Sequence, residues 1–208
     1  MAGQFITLEG GEGCGKTTQI KLLAEALAAA GRSITITREP GGSAGAEKIR
    51  ELLVTGEADR WDSLTETLLF YAARTDHLAR TVRPALAQGN IVICDRFSDS
   101  TRVYQGIGKG VSSQFIDTLR TLTLGNFAPS LTLILDVSPE TGLARASARR
   151  GSEMRFEQLS LDFHQRVREG FLAIARAEPA RCVLVDASKT VEEVAAEIKN
   201  VVFQRLGL

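Results

Sequence analysis

Eight residues, Gly10-Gly11-Glu12-Gly13-Cys14-Gly15-Lys16-Thr17, carry the plainest chemistry in this 208-residue chain. A glycine, four residues, a second glycine, a lysine and a hydroxyl follow one another at the spacing of a phosphate-cradling loop. Glycines take backbone angles that other residues resist, so successive N–H groups can turn inward toward phosphate oxygens. The positive end of a following helix adds to the anion site. In such a loop Lys16 reaches the β- and γ-phosphates of a nucleoside triphosphate and the Thr17 hydroxyl coordinates Mg²⁺. The alternative is a Gly-rich turn with a chance lysine. It leaves unexplained why the apolar run Phe5-Ile6-Thr7-Leu8 precedes the loop and a helical pattern over 18–30 follows it.

Four other groupings have types and spacings suited to a site. Arg38-Glu39-Pro40-Gly41-Gly42 ends a strand-like run; it is either a plain turn or an Arg and a Glu facing the phosphate loop. Asp95-Arg96 closes the run Ile91-Val92-Ile93-Cys94. A carboxylate there suits Mg²⁺, and an arginine beside it suits a second phosphate, unless the two form a surface salt bridge. Ser100, Thr101, Tyr104 and Gln105 follow in the same loop and offer polar and aromatic surface to a small ligand. Phe70 and Arg74 are four apart and share a helix face. They suit either a base stacked and bonded at its edge or a core Phe above an exposed Arg. Last, residues 145–155 contain Arg145, Arg149, Arg150 and Arg155, the densest positive run in the chain. They form a solvated face or a lid, approximately 147–157, that brings charge over a transferring phosphoryl group. The interior of the phosphate loop has no arginine, which favours the lid.

The elements that must hold these residues alternate. Strand-like runs at 5–9, 33–38, 91–95, 131–137 and 182–186 are almost continuously Ile, Val and Leu, as strands buried on both faces are. Between them lie helical patterns. One, over 64–88, puts Leu68, Ala72, Ala79, Val82 and Leu86 on one face. A second carries Phe156, Leu159, Phe163, Val167, Phe171 and Ile174 at steps of three and four, which reads as core. A third carries Val191, Val194, Ala195, Ile198, Val201 and Val202. This alternation predicts an α/β fold with an open parallel five-stranded sheet and helices on both faces. Longer loops fall at 40–46, 98–111 and 149–155. Ligands in such sheets bind beyond the C-terminal strand ends, so all three loops are expected at one rim.

Composition excludes several classes. Apolar residues make up 44% and charged residues 24%, with formal net charge zero. That is the balance of a globular protein and argues against a broad nucleic-acid or anionic-membrane footprint. No apolar run approaches the roughly 20 residues of a membrane span, and the early first strand leaves no room for a signal peptide. Cys14, Cys94 and Cys182 lack metal-ligand spacing. Cys94 and Cys182 suit buried positions; Cys14 is a filler of the loop or a redox-sensitive thiol. A reducing, cytoplasmic setting and a single domain over 1–208 are expected.

Taken together these residues resemble the thymidylate kinase family, over essentially the whole chain and in the right order. The resemblance runs from Phe5 through Gln19, then Thr37-Arg38-Glu39-Pro40-Gly41-Gly42 and Leu69-Phe70-Tyr71-Ala72-Ala73-Arg74. It continues through Asp95-Arg96-Phe97-Ser98-Asp99-Ser100, Tyr104-Gln105-Gly106 and Leu135-Asp136-Val137-Ser138-Pro139-Glu140. It implies transfer of the ATP γ-phosphoryl group to dTMP, giving dTDP on the way to dTTP, with ATP and Mg²⁺ as cofactors. It implies ATP on Gly10, Gly11, Glu12, Gly13, Cys14, Gly15, Lys16, Thr17 and Thr18, and metal on Thr17, Asp95 and Glu9. It places dTMP on Arg38, Phe70, Arg74, Arg96, Ser100, Thr101, Tyr104 and Gln105. Phe70 would stack on thymine, Arg74 bond its carbonyl edge, Arg38 and Arg96 hold the phosphate, and Tyr104 pack where a 2′-hydroxyl would sit. Lys16, Arg96, Arg150, Arg155, Glu9 and Asp95 would be catalytic, the lid arginines matching the bacterial type without an arginine in the phosphate loop. Tyr71 stands where the family often has a small residue, and Thr101 where the base-contacting residue varies. A homodimer is implied by the resemblance alone. The competing functions are another nucleoside or nucleotide kinase of the same fold, and a regulatory ATP-binding protein.

Overall fold

The computed structural model describes residues 3–57, 59–148 and 155–207. Five parallel strands, β1 (Gln4–Gly10), β2 (Ile34–Arg38), β3 (Ile91–Asp95), β4 (Leu131–Asp136) and β5 (Cys182–Asp186), lie in the order β2-β3-β1-β4-β5. The expected strands are all present, with ends shifted by one or two residues. Alternation along β1 sets the two faces. Ile6 and Leu8 point into the layer formed with α1 (Lys16–Ala29) and α9 (Val191–Leu206), where Ile20, Leu23, Leu27, Val194, Ile198 and Val202 meet them. Phe5 points the other way, against Val92, Cys94, Phe97, Val82 and Leu124.

That second face is covered by α3 (Ser63–His77), α4 (Arg83–Ala87), α6 (Ser113–Leu124) and α8 (Leu161–Ala177). α3 and α4 were expected as one helix over 64–88. A π-helical stretch, Leu78–Val82, joins them just before Pro84. Pro84 has no N–H and its ring crowds the preceding turn, and a widened turn removes the conflict. α2 (Ala44–Val54) begins where a loop was expected; Ser43 accepts from the Ala46 N–H and starts it. α7 (Pro139–Ser147) begins at Ser138, which accepts from the Thr141 N–H.

The expected loop at 98–111 is largely helical. α5 (Ser98–Thr101) runs into a π-helical stretch, Arg102–Gly108. This turn geometry lays Val103, Tyr104 and Ile107 against α8. Gly170 permits the approach, since a Cβ there would stand 2.8 Å from the Ile107 Cδ1. The stripe expected from Phe156 onward is helical only from α8, so Phe156 and Leu159 precede the helix. Phe163, Val167, Phe171 and Ile174 are core, as expected.

Candidate active site

The loops beyond β1, β2 and β3 enclose a cleft of about 530 Å³, a size that fits a nucleotide. Register brings its charged ends together: Asp95 pairs with Leu8 on one side and Arg38 on the other. Glu12 to Thr17, Arg38, Phe70, Arg74, Asp95, Arg96, Ser100, Thr101, Tyr104 and Gln105 all line this cleft. Arg38, Glu39 and Pro40 of the Arg-Glu-Pro-Gly-Gly segment thus line the cleft.

Helix starts explain which end is made for anions. α2, α3, α7, α8 and α9 are capped by Ser43, Asp62, Ser138, Ser160 and Thr190 side chains. α1, like α4, α5 and α6, has no side-chain cap, but it alone begins at a left-handed glycine, Gly15 at φ 94°. Its first N–H groups stay available for an anion. Lys16 curls over the loop and donates to the Gly11 and Gly10 carbonyls at 3.0 and 3.3 Å. Gly13 cannot carry a Cβ because the Gly142 carbonyl of α7 lies against it, and Gly142 is likewise blocked by the Glu12 carbonyl. The loop thus rests backbone to backbone on α7. Gly10 and Gly11 line a smaller cavity beneath it, with Asp136, His164 and Arg168. Thr18 is exposed.

Arg96 joins the phosphate loop to the neighbouring pocket. Its φ of 67° is the one positive value at a non-glycine among the described residues, a costly conformation that surrounding contacts must hold. They are plentiful: the guanidinium donates to the Gly10 carbonyl, the Ser100 hydroxyl and the Glu12 carboxylate at 2.9, 3.2 and 2.9 Å, and lies 4.9 Å over the Tyr104 ring. The Tyr104 hydroxyl donates to the same Glu12 oxygen at 2.9 Å. Burial alone would raise the Glu12 pKa, but Arg96, Lys16 and the Tyr104 bond outweigh it and bring it down to about 2.

Arg74 is the most informative side chain. It is 1% exposed and sits between the rings of Tyr71 and Phe97, 4.9 and 5.3 Å away. Nε donates to Glu39 at 2.6 Å, and Nη2 to the Phe97 carbonyl and the Thr101 hydroxyl at 3.1 Å each. Nη1 has no partner. Two other buried side-chain atoms among the described residues lack one, Gln19 Oε1 and His164 Nε2, and neither residue lines the cleft. An unsatisfied buried donor is expensive, so a cleft that keeps one is built for an acceptor. Glu39 also takes the buried His77 at 2.9 Å, whose other ring nitrogen meets the Thr37 hydroxyl.

Three expected site residues stand differently. Glu9 faces the same side of β1 as Phe5; it is 0% exposed and lies beneath the cleft. Its oxygens accept from the Phe97 N–H at 2.8 Å and the Ser100 hydroxyl at 2.6 Å. Burial and Asp99 push its pKa up to about 7, against the Ser100 bond and Arg96. Both oxygens are engaged by protein donors, so in this arrangement Glu9 holds the turn that presents Asp95 and Arg96. Arg155 is buried too, bonded to the Glu66 carboxylate at 2.5 Å and to the Leu53 and Glu57 carbonyls at 3.0 and 2.9 Å. Here it anchors the end of its segment. Arg150 lies outside the described residues.

Sequence reasoning missed Arg50 and Phe156, which line the cleft, and Glu66 behind it. Phe156, taken for core, stands 6.2 Å from Phe70 and 5.8 Å from Tyr104. Only its place directly after the arginine run hinted at this.

Thr17 Oγ1 and Asp95 Oδ2 lie 3.4 Å apart on the cleft wall. A hydroxyl and a carboxylate so placed fit a hard cation that keeps waters and phosphate oxygens as its remaining ligands. No cluster of three His, Cys, Asp or Glu occurs among the described residues.

The family model for thymidylate kinase matches residues 8–198. The chain belongs to the thymidylate kinase family. It is 57% identical to the thymidylate kinase of Caulobacter vibrioides over 206 residues, covering 99% of each protein. It is 52% identical to that of Ruegeria pomeroyi, covering 99% of this chain and 97% of the relative. The crystal structure of thymidylate kinase from Ehrlichia chaffeensis superposes with a TM-score of 0.80 at 36% identity, over 97% of this chain and 100% of that one. Membership makes the chain a phosphotransferase of nucleotide synthesis, and the open parallel sheet is the family's. No helix among the described residues is long and apolar enough to cross a membrane.

Proposed function

We propose that this cleft transfers the γ-phosphoryl group of ATP to dTMP, with one nucleotide on the phosphate loop and the other in the pocket between α3 and the Asp95–Gln105 segment. The observation that carries the acceptor assignment is the orphaned Arg74 donor in a cleft that Gln105 also lines. Arg74 Nη1 offers a donor to a base carbonyl, and Phe70 offers a ring face for stacking. Tyr104, packed under Arg96, narrows the sugar side. Arg38 and Arg96 face the acceptor phosphate.

In the reaction the phosphoryl group needs charge neutralisation and alignment more than covalent help. Lys16 and the N–H groups of α1 hold the donor phosphates. Thr17 and Asp95 would hold Mg²⁺, which when bound supplies positive charge to the phosphate oxygens. Glu12 fixes the Arg96 fork, and Glu9 acts through the turn that carries Asp95 and Arg96. Arg150 is the lid arginine assigned to the transferring group. Arg155 would have to leave Glu66 to share that task. The whole chain acts as one catalytic domain. Three unbridged buried cysteines suit a reducing cytoplasm. The groove between α3 and α6, with exposed Leu64, Leu68 and Leu122 around it, suits a second copy of the chain.

A coupled ADP-release assay with dTMP, dUMP, UMP, dCMP and dGMP tests the reading. dTMP should give the highest kcat/KM, UMP should suffer from its 2′-hydroxyl, and dGMP should be poorest. Equal turnover of dGMP would overturn the acceptor assignment.

A further inference from the structure

Behind the acceptor pocket lies a carboxylate that the phosphoryl transfer described above does not use. Glu66, in the first turn of α3, is 0% exposed. Its Oε1 accepts from the Gln105 side-chain amide at 2.9 Å. Lys109 lies 2.8 Å from that same oxygen and donates to Oε2 at 2.9 Å. Oε2 also takes Arg155. One carboxylate therefore gathers a lysine and an amide from the turn after α5 and an arginine from the segment before α8.

Its effect on Gln105 is directional. A carboxylate offers only lone pairs, whereas a glutamine amide has a donor end and an acceptor end. Facing Glu66, Gln105 must turn its NH₂ inward. That leaves its carbonyl as the group available to the cleft it lines. On the same cleft lining, Arg74 Nη1 offers a donor. The cleft thus presents both an acceptor and a donor. Thymine has the complement, an N3–H beside the O4 carbonyl. Cytosine has the reverse, a bare N3 beside an amino group.

We infer that Glu66 is a specificity-positioning residue: by fixing which end of the Gln105 amide faces the base, it rejects cytosine nucleotides without touching them. The inference rests on the acceptor reading above and deepens it. Polar edges of this kind discriminate strongly, because the wrong base leaves buried groups unpaired. Lys109 and Arg155 keep the carboxylate charge matched, and removing a buried charge's partners is strongly destabilising.

The test is kcat/KM for dTMP and dCMP in the wild-type chain and in Glu66→Gln. A neutral amide at 66 can offer its own NH₂ to Gln105, which then turns and offers NH₂ to the cleft. The dTMP-to-dCMP ratio should fall at least about tenfold, mostly through KM. A role confined to stability would lower both substrates together, and an unchanged ratio overturns the inference. A wild-type chain that fails to prefer dTMP would instead overturn the acceptor reading. Folding of the variant is bypassed by NMR on the unmutated chain labelled at glutamine nitrogen. The Gln105 amide protons should stay protected from solvent exchange with and without dTMP; freely exchanging protons contradict a fixed amide.

Discussion

Arginines at the β2–β3 side of the sheet and at the β4–β5 side all sit in ion pairs, yet only one of them keeps a buried donor without a partner at the cleft. On the β4–β5 side Arg168 closes a two-pronged pair on Asp136 at 2.7 and 2.8 Å. Arg181 spans Asp99 at 2.7 and 2.9 Å, with Glu178 and the Thr132 hydroxyl filling the rest of its fork. On the other side Arg74 spends two nitrogens on protein acceptors and leaves Nη1 unmatched. Arg96 is held in a positive-φ turn by three contacts from different segments. Forks whose donors are taken by protein or left to solvent stitch strands to helices. An unsaturated fork facing a cleft is an offer to a ligand, and the neighbouring buried carboxylates serve to aim it.

The sharpest break should come at Lys16, whose charge is fixed where phosphate charge develops. Lys16→Ala is expected to lower kcat by about 10²-fold or more with the fold retained, checked by turnover beside thermal unfolding. A folded variant with near-normal turnover would remove the phosphate loop from the account.

A smaller effect sharpens the role of Glu9. Its pKa rises from the ordinary 4.5 to about 7 through burial and Asp99. A carboxyl raised in the folded state binds a proton more tightly there than in the unfolded chain, so its stabilising contribution is present below about pH 4.5 and is lost as pH climbs through 7. The difference in Tm, wild type minus Glu9→Gln, should therefore fall as pH rises from 5 to 8. A difference independent of pH would mean that Glu9 is not the group titrating there.

The three central strands were legible in the sequence because they are buried on both faces and so read as nearly unbroken apolar runs, Ile91-Val92-Ile93 and Leu131-Thr132-Leu133-Ile134 being the plainest. The phosphate loop and Asp95-Arg96 were legible because their chemistry is local: adjacent residues at a strand end act together. Glu66 and Arg50 were not, since nothing within a few residues of either signals a ligand; Glu66 matters only because folding brings Gln105, Lys109 and Arg155 to it. Phe156 followed the same spacing as the true core phenylalanines, and a spacing cannot say where the helix starts. Glu9 was legible as important but not as to how. Its position on β1 turns it under Phe97, where its oxygens are claimed by the protein. Helical structure at 98–108 was hidden because a π-turn does not follow the 3.6-residue period.

The contrast between a fork that keeps a buried unmatched donor and a solvated one is tested most directly by calorimetric titration of dTMP into two matched variants, Arg74→Lys and Arg168→Lys. Each keeps a positive charge for its carboxylate and loses the planar fork. Losing the one donor offered to the base should weaken dTMP binding at least about tenfold at position 74, the range for a bond to a charged group. Loss of the fork at 168 should leave Kd within about threefold and show instead as a lower Tm. Equal weakening at both positions, or none at Arg74→Lys, would contradict the account.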